Sequence, residues 1–329
     1  MKKIGINGFG RIGRYFTRLV LDQPDMHVAV VNDLADCHTL AHLLKYDSIH
    51  GRLTKRFTVS DNEIHFEDGK KIIFLQHAQP DAIPWNQHDV SIVLESTGKF
   101  LTKELALKHL VGGARKVVLS APSPDEDVKT IVLGVNDGLL SLNETIISNA
   151  SCTTNNAAPM IHVMRQLCEI ESAFVTTVHS YTTDQRLHDA PHKDLRRARA
   201  AAESIVPTST GAAKALTRIF PELSDAIGGC GVRVPVPNGS FTDITMVVKN
   251  PPTVDQVNAA MKQASVDQLK GILAYTEDPI VSIDIIGESY SCIFDAQLTS
   301  VINNMVKIVG WYDNEAGYSN RLVELIRKL

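Results

Sequence analysis

At 329 residues the chain is longer than one ordinary hydrophobic core supports, which argues for two domains. A 44% hydrophobic and 21% charged composition is that of a globular protein, and the net charge of −4 gives no general attraction for nucleic acid or an anionic membrane surface. Five scattered cysteines without a CxxC exclude a disulfide framework and a zinc site, so no metal is expected and a reducing cytoplasm is the expected location. The basic N-terminus interrupts its apolar run with Asn7, Gly8 and Arg11, so no signal peptide is read there. No apolar run is long enough to span a membrane.

The first residues give a short strand, Lys3 to Asn7, followed at once by Gly8-Phe9-Gly10-Arg11-Ile12-Gly13 and a helical pattern through Phe16, Leu19 and Val20. Each glycine has a mechanical reason: Gly8 for the tight turn, Gly10 for approach of a pyrophosphate, Gly13 for close packing of helix on strand. A second strand, His27 to Asp33, ends in a carboxylate at the distance where one takes ribose hydroxyls. Strand, glycine loop, helix and acid together indicate a dinucleotide site. Asp33 is followed by Leu34 with no arginine beside it, which favours NAD over its 2′-phosphorylated relative.

Phe57 to Gln76 alternates apolar and polar residues around turn signals and reads as antiparallel strands. Ser91 to Thr97 and Lys116 to Pro122 read as buried strands, and ligands gather at the carboxyl ends of such strands, so Thr97, Gly98 and Ser120 are placed near the cofactor. Thr130 to Asn136 and Glu144 to Ser148 are expected to complete the sheet.

Cys152 then emerges between Ser151, Thr153 and Thr154, with a strand before it and helical spacing after it at Met160, Val163, Met164 and Leu167. At a helix N-terminus the unpaired N–H groups and positive dipole end favour a thiolate. A small core residue is the bland alternative, but the capping residues make Cys152 a candidate nucleophile. Beyond it, Ala173 to Gln185 is a β-branched strand leading to His179, Gly231 to Val248 reads as strands joined at Asn238-Gly239, and Ser291 to Asp313 as two more around Asn303-Asn304. One helix, Val254 to Ser265, lies between them. Strands running mainly by hairpins suggest an α+β domain with an antiparallel sheet. The last residues, from Asn314, form an amphipathic helix.

His179, in the polar run SYTTD, is the best-placed base for Cys152. Around it lie Thr182, Arg196, Arg197, Arg199 and Arg233, with Pro207 to Gly211 as a hydroxyl-and-glycine turn opening a helix, a candidate phosphate cradle. The run KDLRRAR is equally a solvated basic face, a subunit contact or a nucleic-acid patch. A thiolate, a base, a dinucleotide and anion sites fit one reaction class. The thiolate adds to an aldehyde, hydride leaves to NAD, and water or inorganic phosphate cleaves the resulting thioester.

The motifs INGFGRIGR, VVNDL, YDSIHG, ESTGKF, SNASCTTN, HSYTTDQ, PHKDLRRARAAAESIVPTSTGAAKAL, VRVPVPNGS and WYDNEAGYSNRL resemble, nearly end to end, the phosphorylating NAD-dependent glyceraldehyde-3-phosphate dehydrogenase family. The resemblance implies an α/β Rossmann NAD domain of residues 1–150 with 314–329, and an α+β catalytic domain of 151–313 with a mainly antiparallel sheet. It implies a cytoplasmic, glycolytic homotetramer acting on glyceraldehyde 3-phosphate and inorganic phosphate. Cys152 is then the nucleophile and His179 the base. Thr182 and Arg233 bind the substrate's phosphate, while Ser151, Arg197, Thr210 and Gly211 bind the attacking phosphate, with Arg197 serving both. Arg11 and Ile12 bring backbone groups to the pyrophosphate, Asp33 meets the adenosine ribose, and Asn314 holds the nicotinamide carboxamide. Two positions depart from the family pattern. Asn156 stands where a second cysteine is common, and Ala190 precedes Pro191 where the NAD-type pattern has leucine, which leaves use of NADP open. Erythrose-4-phosphate dehydrogenase is the nearest rival, disfavoured by the intact PTSTGAAKA loop. A non-catalytic binding protein on the same fold is the other, disfavoured by retention of Cys152, His179, Arg197 and Arg233.

Overall fold

The computed structural model describes residues 1–329. They fall into two compact units: Met1–Ile131 with Gly138–Ala150 and Ser319–Leu329, and Val132–Asp137 with Ser151–Tyr318.

The first unit is built on a nine-stranded sheet. In spatial order its strands are Lys129–Thr130, Ile146–Ser148, Lys116–Leu119, Ile92–Glu95, Lys2–Asn7, Met26–Asn32, Lys71–Leu75, Glu63–Phe66 and Phe57–Ser60. The seven from Lys129–Thr130 to Lys71–Leu75 run parallel, and the last two join antiparallel. The parallel strands are short apolar runs because both faces are covered; Val30, Trp85, Val93, Val117 and Leu119 share one such core. The chain winds outward both ways from Lys2–Asn7, to Met26–Asn32 on one side and Ile92–Glu95 on the other. This is the Rossmann-type switch point, beyond whose strand ends a ligand crevice forms. Of the expected strand from Thr130 to Asn136 only Thr130 is extended. Val132 to Asp137 turn instead, Gly134 adopting φ +78° and packing against Leu269 and Ile272 in the second unit's own core.

The second unit carries an eight-stranded, mainly antiparallel sheet ordered Val206–Thr208, Ile227–Val234, Glu169–Ser180, Ser240–Lys249, Met305–Tyr312, Cys292–Asp295 and Leu273–Thr276, with Ser300–Ile302 pairing Met305–Tyr312. The hairpin around Asn303-Asn304 forms as expected. The strands before and after Asn238-Gly239 do not pair with each other. Glu169–Ser180 lies between them, parallel to Ile227–Val234 and antiparallel to Ser240–Lys249. Pro235 and Pro237 cannot continue a ladder, so the chain crosses the strand end, where Tyr181 N–H donates to the Val236 carbonyl (3.1 Å). Three helices, Cys152–Leu167, Ala212–Ile219 and Val254–Val266, pack with this sheet. The strands alternate buried and partly exposed residues, as a sheet covered on one face does. No helix is long and apolar enough to cross a membrane.

Candidate active site

In the first unit the glycine loop turns tightly at the end of Lys2–Asn7. Gly8 adopts φ +95°, and a Cβ there would lie 2.7 Å from Thr97 N. A Cβ on Gly13 would meet the Gly8 carbonyl at 2.5 Å, whereas one on Gly10 meets nothing within 4 Å. Space is therefore left over Gly10, where the helix Arg11–Val20 starts without a side-chain cap. The Arg11 guanidinium turns to Asp47 (2.6 and 3.1 Å). Burial pushes the Asp47 carboxyl up, but the His50 and Ile49 N–H groups and the Arg11 fork outweigh it and hold it at about 2. Asp33 stands beside the loop, one oxygen taking the Phe9 N–H at 2.6 Å and the other the Ala35 N–H at 3.1 Å. Open Gly10 at a helix start and an adjacent carboxylate fit a pyrophosphate and a ribose.

Thr97, Gly98 and Ser120 gather at the adjoining strand ends around Glu95, a residue that sequence patterning missed because it closes an apolar run. Fully buried, Glu95 accepts from Asn7 Nδ2 (2.6 Å), Thr97 N (2.8 Å), Thr97 Oγ1 (2.5 Å) and His109 Nε2 (3.1 Å). The Trp85 indole, which only donates, gives its N–H to His109 Nδ1 at 3.1 Å, so the imidazole proton sits on Nε2, facing the carboxylate. Ser120 N–H reaches the Glu95 carbonyl (2.9 Å), and Ser96 Oγ ties the Gly8 carbonyl (2.7 Å). The network holds the Thr97–Gly98 turn, with Gly98 at φ +71°, against the glycine loop.

The second unit assembles the chemistry. Cys152 is the first residue of its helix, and Ser151 caps it, Oγ accepting the Thr154 N–H at 3.1 Å. Cys152 Sγ lies 3.5 Å from His179 Nε2. The opposite ring nitrogen, Nδ1, lies 2.8 Å from the Ser180 carbonyl, which only accepts, and against the Arg233 guanidinium, which only donates. Tyr312, buried, bridges Thr153 Oγ1 and Thr177 Oγ1 at 2.9 Å each and sets its ring edge-on to His179. His179 and Arg233 are register partners on parallel strands, so their side chains share a face, and the guanidinium closes on Nδ1 and donates to the Ser180 carbonyl at 3.0 Å. Burial, then the Arg233 charge, depress His179 to about 3. Burial also raises the Cys152 thiol, opposed by Arg233 and the Thr153 N–H. The helix start does favour the thiolate, as the sequence indicates, but desolvation is the larger effect and pushes the thiol up.

The basic run divides. Arg197 is held by Thr208 Oγ1 (2.9 and 2.7 Å) and Asp184 (2.5 Å), and its like charge bears on half-buried Arg233. Arg199 pairs with Asp189 at the surface and Arg196 is exposed, so neither joins the cluster. Thr182 follows the His179 strand, its N–H directed at Gln185 Oε1 (3.4 Å). Thr210 Oγ1 accepts the Ala212 N–H (3.2 Å), and Gly211 opens the helix Ala212–Ile219 with free space where a side chain would be. Asn314 accepts from Ser180 and Ser240. Asp184, Thr208 and both serines lie inside motifs already singled out, but only the fold gives them partners. Asn156 points its Nδ2 at the Trp311 and Ser291 carbonyls (3.2 and 3.4 Å).

Residues 2–103 match the family model described as glyceraldehyde 3-phosphate dehydrogenase, NAD binding domain, and residues 151–314 match that of the C-terminal domain of the same enzyme. Among curated proteins, glyceraldehyde-3-phosphate dehydrogenase of Geobacillus stearothermophilus is 53% identical over 325 residues, covering 98% of this chain and 96% of the relative. Its namesake in Streptomyces coelicolor is 54% identical, with 98% and 97% covered. Glyceraldehyde-3-phosphate dehydrogenase 2 of Streptomyces avermitilis is 53% identical at the same coverage. With both domain models matched in order and these relatives aligned almost end to end, the chain belongs to the glyceraldehyde-3-phosphate dehydrogenase family of NAD-dependent oxidoreductases.

Proposed function

We propose that this protein oxidises D-glyceraldehyde 3-phosphate with NAD and inorganic phosphate to 1,3-bisphosphoglycerate, a glycolytic step run in the cytoplasm. The observation that carries the reading is the Cys152 Sγ to His179 Nε2 contact at 3.5 Å, with Arg233 beside it. His179 takes the thiol proton as sulfur adds to the aldehyde carbon, and the carbonyl oxygen takes a proton to give a hemithioacetal. Bound NAD supplies the acceptor for the hydride that leaves this carbon. His179 removes the hydroxyl proton as the C=O bond re-forms, leaving a Cys152 thioester. A phosphate oxygen then attacks the thioester carbon, the C–S bond breaks, and the thiolate leaves.

Arg233 and Thr182 hold the substrate's own phosphate; Ser151, Thr210 and Gly211 hold the attacking one; Arg197 serves both. Gly8, Gly10, Gly13 and the Arg11 and Ile12 N–H groups cradle the pyrophosphate, Asp33 the ribose, Thr97, Gly98 and Ser120 line the crevice, and Asn314 takes the nicotinamide carboxamide. Residues 1–150 with 314–329 serve as the NAD domain and 151–313 as the catalytic domain. A homotetramer accounts for apolar groups on the partly exposed sheet face and the following loop: Phe174 is 50% and Leu195 82% exposed, with Phe241 and Val232 on the same sheet.

The test is NADH formation from glyceraldehyde 3-phosphate with and without inorganic phosphate, with erythrose 4-phosphate and NADP in parallel. Phosphate-dependent turnover that disappears in Cys152→Ser is expected. Equal rates without phosphate overturn the second anion site, and preference for erythrose 4-phosphate overturns the substrate.

A further inference from the structure

Asn314 lies just past the strand Met305–Tyr312, where Ser180 ends the His179 strand and Ser240 begins the next. Antiparallel pairing sets Ser240 opposite Tyr312 and Phe241 opposite Val178, so the three polar residues converge at one end of the sheet. All are buried: Ser180 is 0%, Ser240 1% and Asn314 8% exposed.

Their hydrogen bonds run in one direction. The Ser180 backbone N–H, which only donates, reaches Ser240 Oγ at 3.1 Å. Ser240 Oγ then gives its own proton to Asn314 Oδ1 at 3.1 Å, and Ser180 Oγ gives its proton to the same oxygen at 2.8 Å. A carbonyl oxygen has two lone pairs, and both are used. Asn314 Nδ2 donates to no protein group, yet it is not among the sealed, unsatisfied atoms, so its N–H groups face accessible space. Turning the amide over would set its NH₂ against the two hydroxyls and leave both of their protons without an acceptor, since neither hydroxyl has another partner to donate to.

We infer that Ser180 and Ser240 are positioning residues that lock the Asn314 amide with Oδ1 inward and Nδ2 outward, making this subsite a hydrogen-bond donor that selects a carbonyl acceptor on the pyridine ring of the dinucleotide. The inference rests on the reading that Asn314 faces the nicotinamide carboxamide. Its consequence is chemical selectivity: a ring substituent that keeps the carbonyl is accepted even without its NH₂, and one that offers only a donor is rejected.

The experiment measures dissociation constants by calorimetry for NAD, 3-acetylpyridine adenine dinucleotide (carbonyl kept, NH₂ lost) and 3-aminopyridine adenine dinucleotide (donor only). The wild type is expected to bind the acetyl analogue within about threefold of NAD and the amino analogue at least about tenfold more weakly, the worth of one hydrogen bond. In Ser180→Ala with Ser240→Ala the amide is free to turn, and the ratio of amino analogue to NAD falls toward one. Ser180→Thr, which keeps the hydroxyl on a residue suited to a strand, retains the wild-type ratio, and each single alanine variant gives a ratio between the two extremes. If the double variant keeps the wild-type ratio while Asn314→Ala abolishes it, the serine lock is wrong and the Asn314 reading stands. If Asn314→Ala itself leaves the ratio unchanged, the Asn314 reading fails. Should the double variant not fold, equal ratios in the single alanine variants and the wild type overturn the lock.

Discussion

Gly10 separates a requirement of folding from a requirement of binding. Its backbone sits at φ −72°, ψ −160°, an extended conformation open to alanine, and an added Cβ meets no atom within 4 Å. Gly10→Ala therefore introduces no clash and restricts the unfolded chain, stabilising the protein by about 0.4–1 kcal/mol and leaving Tm level or up to about 4 °C higher. Ligand binding responds in the opposite sense. A phosphate oxygen bonded to a backbone N–H sits about 2.9 Å from nitrogen, while a methyl carbon needs about 3.5 Å of its own. Seating the anion beside the new methyl displaces it and breaks at least one charge-assisted bond, about 1.5–3 kcal/mol, or about 10- to 150-fold in Kd. Calorimetric titration with NAD and thermal melting on the same preparation read both effects. Unchanged NAD affinity would show that the pyrophosphate does not lie over Gly10. A lowered Tm would show that the space there is needed by the protein itself. Gly13→Ala is the contrast, because its methyl would press on the Gly8 carbonyl at 2.5 Å and Ile6 at 3.2 Å, costing about 1–3 kcal/mol of stability and lowering both Tm and NAD affinity.

Arg233→Met removes a cation that opposes burial at Cys152 and reinforces it at His179. The thiol pKa is expected to rise further and that of His179 to move up from about 3, slowing alkylation by iodoacetamide at neutral pH and raising KM for the phosphorylated aldehyde about tenfold or more; an unchanged alkylation profile would remove Arg233 from the site. Asp47, held at about 2 against an ordinary 3.8, contributes about 2 kcal/mol that is present above pH 3.8 and lost as pH falls through 2. Asp47→Asn should lose that amount at pH 7 and converge with the wild type in strong acid, checked by urea unfolding at several pH values. Glu95→Gln replaces an acceptor of four donors by a group with an NH₂ of its own, stranding at least one buried donor at about 1–3 kcal/mol. Melting and KM for NAD should both worsen; an unaltered KM would confine Glu95 to stability.

The Rossmann half was legible because its signals are local: glycines at a strand end, a helix start, and short apolar strands each act within about ten residues. The second unit was less so. The expected strands around Asn238-Gly239 exist, but pairing is not a local property, and Glu169–Ser180 inserts between them. Val132 to Asn136 reads as a strand because it is apolar, yet it is apolar in order to fill a core around Leu269 and Ile272 while turning at Gly134. Flanking residue types single out Cys152 and His179 as candidates. What no flanking residue could show is the balance of burial against charge at the pair, or the carboxylate at position 95 serving four donors from three segments.

The parallel pairing of His179 with Arg233 also bears on how the protein matures. These residues are 54 positions apart, and their strands meet only after the whole intervening segment has closed. Because side chains alternate across a strand, a slip of one residue would turn Arg233 to the other face of the sheet while leaving most backbone ladder bonds replaceable. A misregistered chain would thus carry nearly native secondary structure and no working centre. During refolding, circular dichroism should recover ahead of catalytic competence, and the lag between them would time the closing of this one strand pair.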